Sequence, residues 1–148
     1  MNFKLITPHT GADMQYSNSM IVDFLHAHLD QYGDAKPDIS KCIDYALGLN
    51  GKPGGCILLA LDNDNVIGAV VTNETGMQGY IPENILVYIA VNGAYRGQGV
   101  GKKLIDQIKK VTKGDNALHV EPENPAKRLY ERNGFENPYL EMRWKRNH

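Results

Sequence analysis

Residues 85–101 read ILVYIAVNGAYRGQGVG, an apolar run that passes directly into a glycine-dense stretch. Residues 85–91 are rich in isoleucine and valine on both alternating faces, which predicts a central strand covered from both sides. Apolar residues then recur at helical spacing from Val100 to Val111, with lysines on the opposite side, which predicts an amphipathic helix. A buried strand, a glycine loop and a helix therefore follow one another directly.

The loop from Arg96 to Gly101 has the features of an anion site. The first turn of a helix leaves backbone N–H groups unpaired at the positive end of the helix dipole. Glycines lack a Cβ, so a phosphate can approach these N–H groups closely. The spacing excludes two better-known phosphate-binding loops. A dinucleotide fingerprint would need its third glycine where Lys102 stands, and a P-loop would need Ser or Thr where Lys103 stands. The pattern predicts a phosphate or diphosphate site; a tight strand-to-helix turn without a ligand is the alternative.

The composition is that of an ordinary globular chain. Its 148 residues favour one domain, and 42% of them are hydrophobic, enough for a core without a disulfide or metal staple. The formal net charge of −1 offers no global basic field for nucleic acid, and no apolar run approaches the length that spans a bilayer. Two cysteines, Cys42 and Cys56, do not make a disulfide framework. We therefore expect a cytoplasmic protein with free thiols, without nucleic-acid or membrane partners.

The remaining segments complete a mixed sheet with helices on both faces. Apolar or alternating runs predict strands, and helical periodicity bounded by breakers predicts helices. The predicted strands are residues 3–6, 56–61, 66–72, 85–91 and 117–121, with one or two more within 135–144. The predicted helices are residues 14–29, 39–49 and 100–111, and a last helix that begins after Asn124 and ends at Asn133-Gly134.

Two motifs in this order resemble the signatures of the GNAT superfamily of N-acetyltransferases. The first is Arg96-x-x-Gly99-x-Gly101, which follows a strand and opens a helix, as the superfamily's acetyl-CoA-binding signature does. The second combines Asn124, Ala126, Tyr130, Gly134 and Phe135 at the spacing of the superfamily's later motif. The resemblance is specific over residues 85–135, and before that it rests on the order of elements.

The resemblance implies a fold and a cosubstrate. The fold would be α/β (mixed α+β), with a mixed, mostly antiparallel sheet of six to seven strands and helices on both faces. The sheet would splay after the fourth strand, and residues 1–148 would form a single N-acetyltransferase domain. The cosubstrate would be acetyl-CoA, with no metal. Its pantetheine arm would lie between the strand at 85–91 and the strand at 117–121.

The resemblance also assigns binding residues by position. Ile89, Ala90 and Val91 would contact the pantetheine arm and the acetyl carbonyl. Asn124, a good N-cap in any case, would also bond to pantetheine through its free amide donors. The backbone N–H groups that would hold the diphosphate belong to Arg96, Gly97, Gln98, Gly99, Val100, Gly101 and Lys102.

Acetyl transfer to an amine needs proton transfers, and candidates can be named. At pH 7 an alkyl amine with a pKa of about 10.4 costs roughly 4.6 kcal/mol to deprotonate, so a general base would contribute. Glu83, just before the central strand, is the preferred base; Glu74, Glu121, a chain of waters or no base at all are the alternatives. Tyr130 matches the position at which relatives protonate the departing thiolate, so it is the predicted general acid.

The predicted activity is acetyl transfer from acetyl-CoA to a primary amine by direct attack in a ternary complex. The acceptor is a small-molecule amine or a peptide or protein amine, selected mainly by residues 14–49 and the loop at 76–82. The leading alternative is a CoA or acetyl-CoA sensor or partner module without catalysis, since the central strand carries no carboxylate. A different phosphate-ligand protein is the third interpretation, and a homodimer is left open.

Overall fold

The structure is a computed structural model that describes residues 1–147. The chain forms two compact units, Met1–Leu118 and His119–His148. The first unit contains one sheet and three α-helices, and the second contains one α-helix. Among residues 1–147, no helix is both long enough and apolar enough to cross a bilayer.

The sheet of the first unit has five strands in the order β1-β2-β3-β4-β5. The first four strands are antiparallel to their neighbours, and β5 runs parallel to β4. The strands are β1 (Asn2–Ile6), β2 (Gly55–Asp62), β3 (Asn65–Glu74), β4 (Asn84–Val91) and β5 (Asn116–Ala117). The helices are α1 (Asn18–His28), α2 (Lys36–Ala46) and α3 (Val100–Val111). The predicted mixed α/β architecture is confirmed.

The turn of the β2–β3 hairpin follows from its two central residues. Asn63 and Asp64 both have positive φ, 49° and 66°. Short polar side chains tolerate this left-handed conformation, and two such residues make the type I′ turn whose twist matches antiparallel strands. The polar turn between two apolar runs therefore produces the predicted hairpin.

Helices cover both faces of the sheet, as the sequence predicts. On one face, α1 and α2 place Ile21, Leu25, Ile39 and Ile43 in a buried cluster with side chains of β2 and β3. On the other face, α3 contributes its apolar stripe to a second buried cluster. The residues of α3 in that cluster are Val100, Leu104 and Ile108.

The starts of α1 and α2 differ from the sequence prediction for local reasons. α1 begins at Asn18 instead of residue 14, because the Ser17 hydroxyl accepts the Met20 N–H at 3.2 Å and caps the helix there. α2 begins at Lys36 instead of residue 39, because Pro37 fits the first turn, where its missing N–H has no intrahelical partner to lose.

The prediction of six to seven strands is wrong, since the described residues contain five. β5 is only two residues long, and within 135–144 there is no strand. The alternating pattern of this segment favours strands, but Pro138 lacks the N–H group that a strand would donate. A strand also forms only where its side chains pack against neighbouring strands. The large side chains of this segment are exposed: Tyr139 by 85%, Leu140 by 84%, Met142 by 90% and Trp144 by 75%.

In the second unit, α4 (Ala126–Arg132) has both ends that the sequence predicts. The Asn124 side-chain oxygen accepts the Ala126 N–H at 2.9 Å. At the other end Gly134 has φ 92°, its N–H donates to the Glu131 carbonyl, and the Phe135 N–H donates to the Tyr130 carbonyl. These two bonds form a Schellman motif, in which glycine takes the left-handed position.

Candidate functional site

A β-bulge lies in the middle of β4. Val71 of β3 is opposite Tyr88, whereas the next residue, Thr72, is opposite Leu86. Val87 is therefore the extra residue, and two residues of β4 oppose one of β3. A bulge of this kind changes the direction of every side chain that follows it along the strand.

The bulge exchanges the two faces of β4. Leu86 belongs to the buried cluster under α3, but Tyr88 and Ala90 belong to the cluster under α1 and α2. In a regular strand, residues at this spacing of two would share one face. Beyond the bulge, Ile89 and Val91 pack on the α3 side.

The backbone of β4 changes direction in the same way. The Asn92 N–H donates to the Ile67 carbonyl of β3 at 2.8 Å. Alternate residues of an antiparallel strand face the same neighbour, so the backbone groups of Tyr88 and Ala90 also face β3. The N–H and C=O groups of Ile89 and Val91 consequently point to the opposite edge of β4.

This opposite edge is unpaired along most of its length within the first unit. β4 pairs with β5 only at Asn84–Asn116 and Ile85–Ala117. From Leu86 onward, no strand of Met1–Leu118 lies against the edge that Ile89 and Val91 present. Two polar backbone positions are thus available to pair with an extended group.

The glycine loop lies immediately after this open edge. A short helical turn at Gly93–Tyr95 is capped at its start by Asn92, whose side-chain oxygen accepts the Ala94 N–H at 2.9 Å. Gly97 and Gly99 then both have φ 81°, the left-handed region that favours glycine. A Cβ placed at Gly97 or Gly99 would meet no atom within 4 Å, so the space above both is open.

The first turn of α3 keeps its N–H groups available. The first intrahelical bond runs from the Lys103 N–H to the Gly99 carbonyl at 3.1 Å, so the N–H groups of Val100, Gly101 and Lys102 have no intrahelical acceptor. Gly99 provides no side-chain cap, and the turn contains no acidic residue. The geometry suits an anion, and the binding of a diphosphate here stays a prediction.

The side chains of Tyr95 and Arg96 anchor the loop through contacts that sequence reasoning did not predict, although it named Arg96 for its backbone N–H. The Tyr95 hydroxyl donates to the Asp62 carboxylate at 2.9 Å. The Arg96 guanidinium donates to the His28 carbonyl at 2.9 Å and to the Asp30 carboxylate at 3.2 Å. Because the partners lie 33 to 68 residues away in the chain, no local spacing reveals these contacts.

The side chains of Gln98 and Lys102 have local partners. The Gln98 amide donates to the Ala94 carbonyl at 3.4 Å. The Lys102 ammonium pairs with Asp106 at 2.8 Å, one helical turn further on. Their predicted binding role concerns backbone N–H groups, which these side-chain contacts leave unaffected.

On the α1–α2 side of the sheet, Tyr88 bonds to an aspartate. Its hydroxyl is buried and donates to the Asp34 carboxylate at 2.5 Å. Burial, and then this carboxylate, raise the pKa of Tyr88 far above its ordinary value. Asp34 itself is exposed, in the connection that precedes α2. Sequence reasoning missed this pair, which joins residues 54 positions apart.

Two other aspartates of this region are paired with lysines. Asp23 contacts Lys36 at 3.0 Å, and Asp38 contacts Lys41 at 3.6 Å. These two exposed pairs involve two of the five aspartates between residues 14 and 49.

Tyr130, the predicted general acid, is fixed by the end of α4. Its ring packs edge-on against Phe135 at 5.8 Å between centroids, and its carbonyl accepts the Phe135 N–H at 3.0 Å. This apolar contact accompanies the Schellman motif and explains the spacing between the two aromatic residues. Tyr130 is 8% exposed, and burial raises its pKa to about 12. Its hydroxyl therefore stays protonated through the neutral range.

Glu83, the predicted base, lies just before β4, and a backbone N–H group of another segment holds its carboxylate. Its carboxylate accepts the Asp115 N–H at 2.8 Å, and this bond lowers the pKa of Glu83. A side chain at Gly114 would collide with the same carboxylate. A carboxylate held in this way is a weaker base, and its catalytic role stays a prediction. The alternatives Glu74 and Glu121 are exposed.

A family model described as the acetyltransferase (GNAT) domain matches residues 53–137, more than half of the chain. N-alpha-acetyltransferase 30 of Schizosaccharomyces pombe is 37% identical over 82 residues, which cover 52% of this chain and 55% of that protein. The chain thus matches about half the length of this curated relative.

Solved structures resemble the whole chain at low identity. A possible acetyltransferase from Clostridium difficile 630 has a TM-score of 0.69 at 21% identity, with 100% of both chains covered. An aminoglycoside N-acetyltransferase in complex with CoA has a TM-score of 0.69 at 15% identity, with 99% of this chain and 95% of that chain covered. These likenesses concern the fold, and the family match spans the central strand, the glycine loop and α4. The chain belongs to the GNAT acetyltransferase family.

Proposed function

We propose that this protein is an acetyl-CoA-dependent N-acetyltransferase that transfers acetyl to a primary amine by direct attack in a ternary complex. The observation that carries the proposal is the continuity of two features. The open backbone edge at Ile89 and Val91 runs directly into a loop whose N–H groups have no intrahelical acceptor. An extended amide-containing arm that ends in a diphosphate has the chemistry to match both.

The residues present fit CoA. Its pantetheine amides would pair with the backbone of Ile89 and Val91, as one more strand would. Its diphosphate would accept hydrogen bonds from the N–H groups of residues 97–102, where open space above Gly97 and Gly99 allows close approach. The Arg96 N–H, also predicted to bind the diphosphate, instead donates to the Gly93 carbonyl at 3.4 Å. The backbone of Ala90 faces β3 and its side chain is buried under α1 and α2, so its predicted contact with pantetheine is not part of this proposal. Acetyl-CoA supplies the thioester whose carbonyl carbon the amine attacks; as the C–N bond forms and the C–S bond breaks, the proton that the amine loses would pass to Glu83, the predicted base, or to water.

Residues of this chain would handle the charge that transfer generates. The Val91 N–H, on the open edge, would donate to the thioester oxygen as negative charge develops on it. Tyr130 would donate its hydroxyl proton to the departing thiolate; a phenol is protonated at neutral pH in any case, and burial, which raises its pKa to about 12, makes it a weaker acid. Asn124 would keep its amide donors for pantetheine while its oxygen caps α4.

The acceptor class is an amine. The name of the curated relative refers to an α-amino group, and the name of one solved neighbour refers to an aminoglycoside, a compound that carries amino groups. In this chain, we propose that α1, α2 and the loop at 76–82 select among small-molecule and peptide amines. Residues 1–148 would act as one N-acetyltransferase domain, since the family match runs across both compact units.

The test measures binding and transfer separately. Calorimetry with acetyl-CoA and with CoA reports binding, and release of free thiol with a panel of primary amines reports transfer. Saturable binding, followed by amine-dependent thiol release in equal amount to acetylated amine, supports the proposal. No binding of CoA by the folded protein would contradict it.

A sensor or partner module that binds CoA without catalysis is the second candidate. The engagement of Glu83 with backbone favours it, because β4 itself carries no carboxylate that could serve as a base. Tight binding without thiol release across the amine panel would support this candidate. The cytoplasmic location stays a prediction, and a homodimer stays open. As expected from the sequence, the two cysteines are free, and both are buried.

A further inference from the structure

The Arg96 side chain points away from the glycine loop and toward α1. A single guanidinium nitrogen, Nη2, donates to the His28 carbonyl at 2.9 Å and lies 3.2 Å from the Asp30 carboxylate. Both side chains of the ion pair remain about half exposed, Arg96 by 51% and Asp30 by 58%. The guanidinium is always charged and offers several donors in a fixed plane, so one side chain can bind two acceptors.

The two acceptors lie where α1 ends. His28 is the last residue of α1, and the final carbonyls of a helix lack intrahelical donors and carry the negative end of the dipole. Asp30 follows with φ 54°, a conformation that Asp and Asn tolerate better than most residues. A cation is favourable at this position, and Arg96 supplies one from a distant part of the chain.

The neighbouring residue holds the loop from another side. The Tyr95 hydroxyl donates to Asp62 at the end of β2, whereas Arg96 reaches α1. Gly97 and Gly99, which follow, have no neighbouring atoms near their Cβ positions. The loop therefore consists of two anchored residues and an open glycine segment.

We infer that Arg96 is a positioning residue that fixes the glycine loop to the C-terminal turn of α1, so that CoA binding and the conformation of that turn are coupled. The inference rests on the proposed function only in taking CoA as the loop's ligand. An anchored loop loses less conformational freedom when a diphosphate binds, which increases affinity without any contact between the guanidinium and the ligand. Such coupling is reciprocal, so bound CoA stabilises the end of α1.

A double-mutant cycle on Arg96 and Asp30 tests this coupling. Arg96→Ala is expected to raise the Kd for CoA about tenfold, since it removes a charge-assisted anchor. Asp30→Asn keeps a residue that suits positive φ, removes the charge and is expected to raise the Kd about threefold. In the Arg96→Ala background, Asp30→Asn is expected to have no further effect. Asp23→Asn is the matched control, because Asp23 of α1 forms an exposed ion pair with Lys36 of α2, away from Arg96, and is expected to leave the Kd unchanged.

Two measurements separate positioning from direct contact. Backbone ¹⁵N relaxation of the ligand-free protein is expected to show greater motion at Gly97 and Gly99 in both variants. Amide exchange at Leu29, whose N–H donates to Leu25, is expected to slow when CoA binds the wild type but not when it binds Arg96→Ala. If Arg96→Ala is poorly folded, Asp30→Asn alone gives both measurements.

Additive effects in the cycle, with unchanged loop motion in the ligand-free variants, would overturn the inference, since Arg96 would then act on the ligand itself. This outcome differs from failure of the proposed function. If wild-type protein bound no CoA, the proposed function would be wrong, while the relaxation of Gly97 and Gly99 would still report whether Arg96 holds the loop.

Discussion

The start of α3 and the end of α4 are both built on glycine in the left-handed region, yet they leave the backbone in different states. At α3, Gly97 and Gly99 precede three N–H groups without intrahelical acceptors. At α4, Gly134 and Phe135 return their N–H groups to the carbonyls of the last turn. The same glycine conformation thus opens one helix end to a ligand and closes the other on itself.

This difference shows how to interpret glycine near a helix end. Positive φ alone identifies a turn, and the distinguishing observation is whether the backbone groups of that turn have protein partners. The closed end also fixes a side chain, because the Phe135 N–H bonds to the carbonyl of Tyr130 and the two rings pack together. One helix end is therefore suited to binding, and the other to holding a tyrosine in place.

The largest expected effect comes from placing a negative charge at the open end. Gly99→Glu introduces a carboxylate where the diphosphate would bind, and like charges in contact cost several kcal/mol, so we expect the Kd for CoA to rise at least ~100-fold. Calorimetry measures the Kd, and circular dichroism checks the fold. A folded Gly99→Glu protein with wild-type affinity would exclude the loop as the diphosphate site.

The next largest effect tests the side chain that the closed end holds. Tyr130→Phe keeps the ring packed on Phe135 but removes the proton donor, so kcat is expected to fall about 100-fold while the Kd for CoA stays constant. Because burial raises the pKa of Tyr130 to about 12, its hydroxyl stays protonated, and no loss of rate from its ionisation is expected below about pH 11. A variant with wild-type kcat would remove Tyr130 from the mechanism.

A matched pair of alanine substitutions compares the two ends directly. Gly99→Ala and Gly134→Ala each place a Cβ at positive φ, which costs about 1–2 kcal/mol of unfolding free energy. We expect both to lower stability in urea by similar amounts, but only Gly99→Ala to weaken CoA binding clearly, since it also narrows the open space above the loop. Equal losses of affinity would show that both ends act on the ligand.

The smallest effect is expected at Glu83, which closes the turn after α3. Glu83→Gln weakens the bond from the Asp115 N–H, so we expect a small fall in Tm at pH 7. Because the bond lowers the pKa of Glu83 in the folded state, its contribution is present above the ordinary value of 4.5 and is lost as pH falls below it. The fall in Tm should therefore disappear in acid.

The rate of Glu83→Gln gives a separate test of the predicted base. A carboxylate bound to backbone is a weak base, so the loss of kcat is expected to be less than about tenfold, below the usual contribution of a general base. A larger loss, together with a shift of the acid limb of the pH–rate profile, would establish Glu83 as the base.

Features that depend on neighbouring residues in the chain could be predicted from the sequence. The apolar stripe of α3 fixes its buried face, Asn63 and Asp64 fix the hairpin, and Asn124 and Gly134 fix the ends of α4. The open geometry of the glycine loop could be predicted because unpaired backbone N–H groups follow from glycine and helix position alone.

Features that depend on distant residues could not be predicted. Arg96 finds its partners at the end of α1, and Tyr88 finds Asp34, so neither contact leaves a local pattern. The apolar alternation within 135–144 predicted strands, although strand formation also needs pairing and packing that no local pattern supplies. The position of Val87 as an extra residue depends on register with β3, which sequence periodicity does not show.

The extra residue in β4 makes strand length more important than side-chain identity at that point. Exchanging isoleucine and valine along β4 would alter packing by a methylene group, which a core tolerates at modest cost. Deleting Val87 would instead remove the bulge, because Leu86 and Tyr88, which already oppose Thr72 and Val71, would become consecutive residues of a regular strand, and β4 would lose its local bend. The bend of β4 thus depends on one inserted residue and not on the identity of a particular side chain.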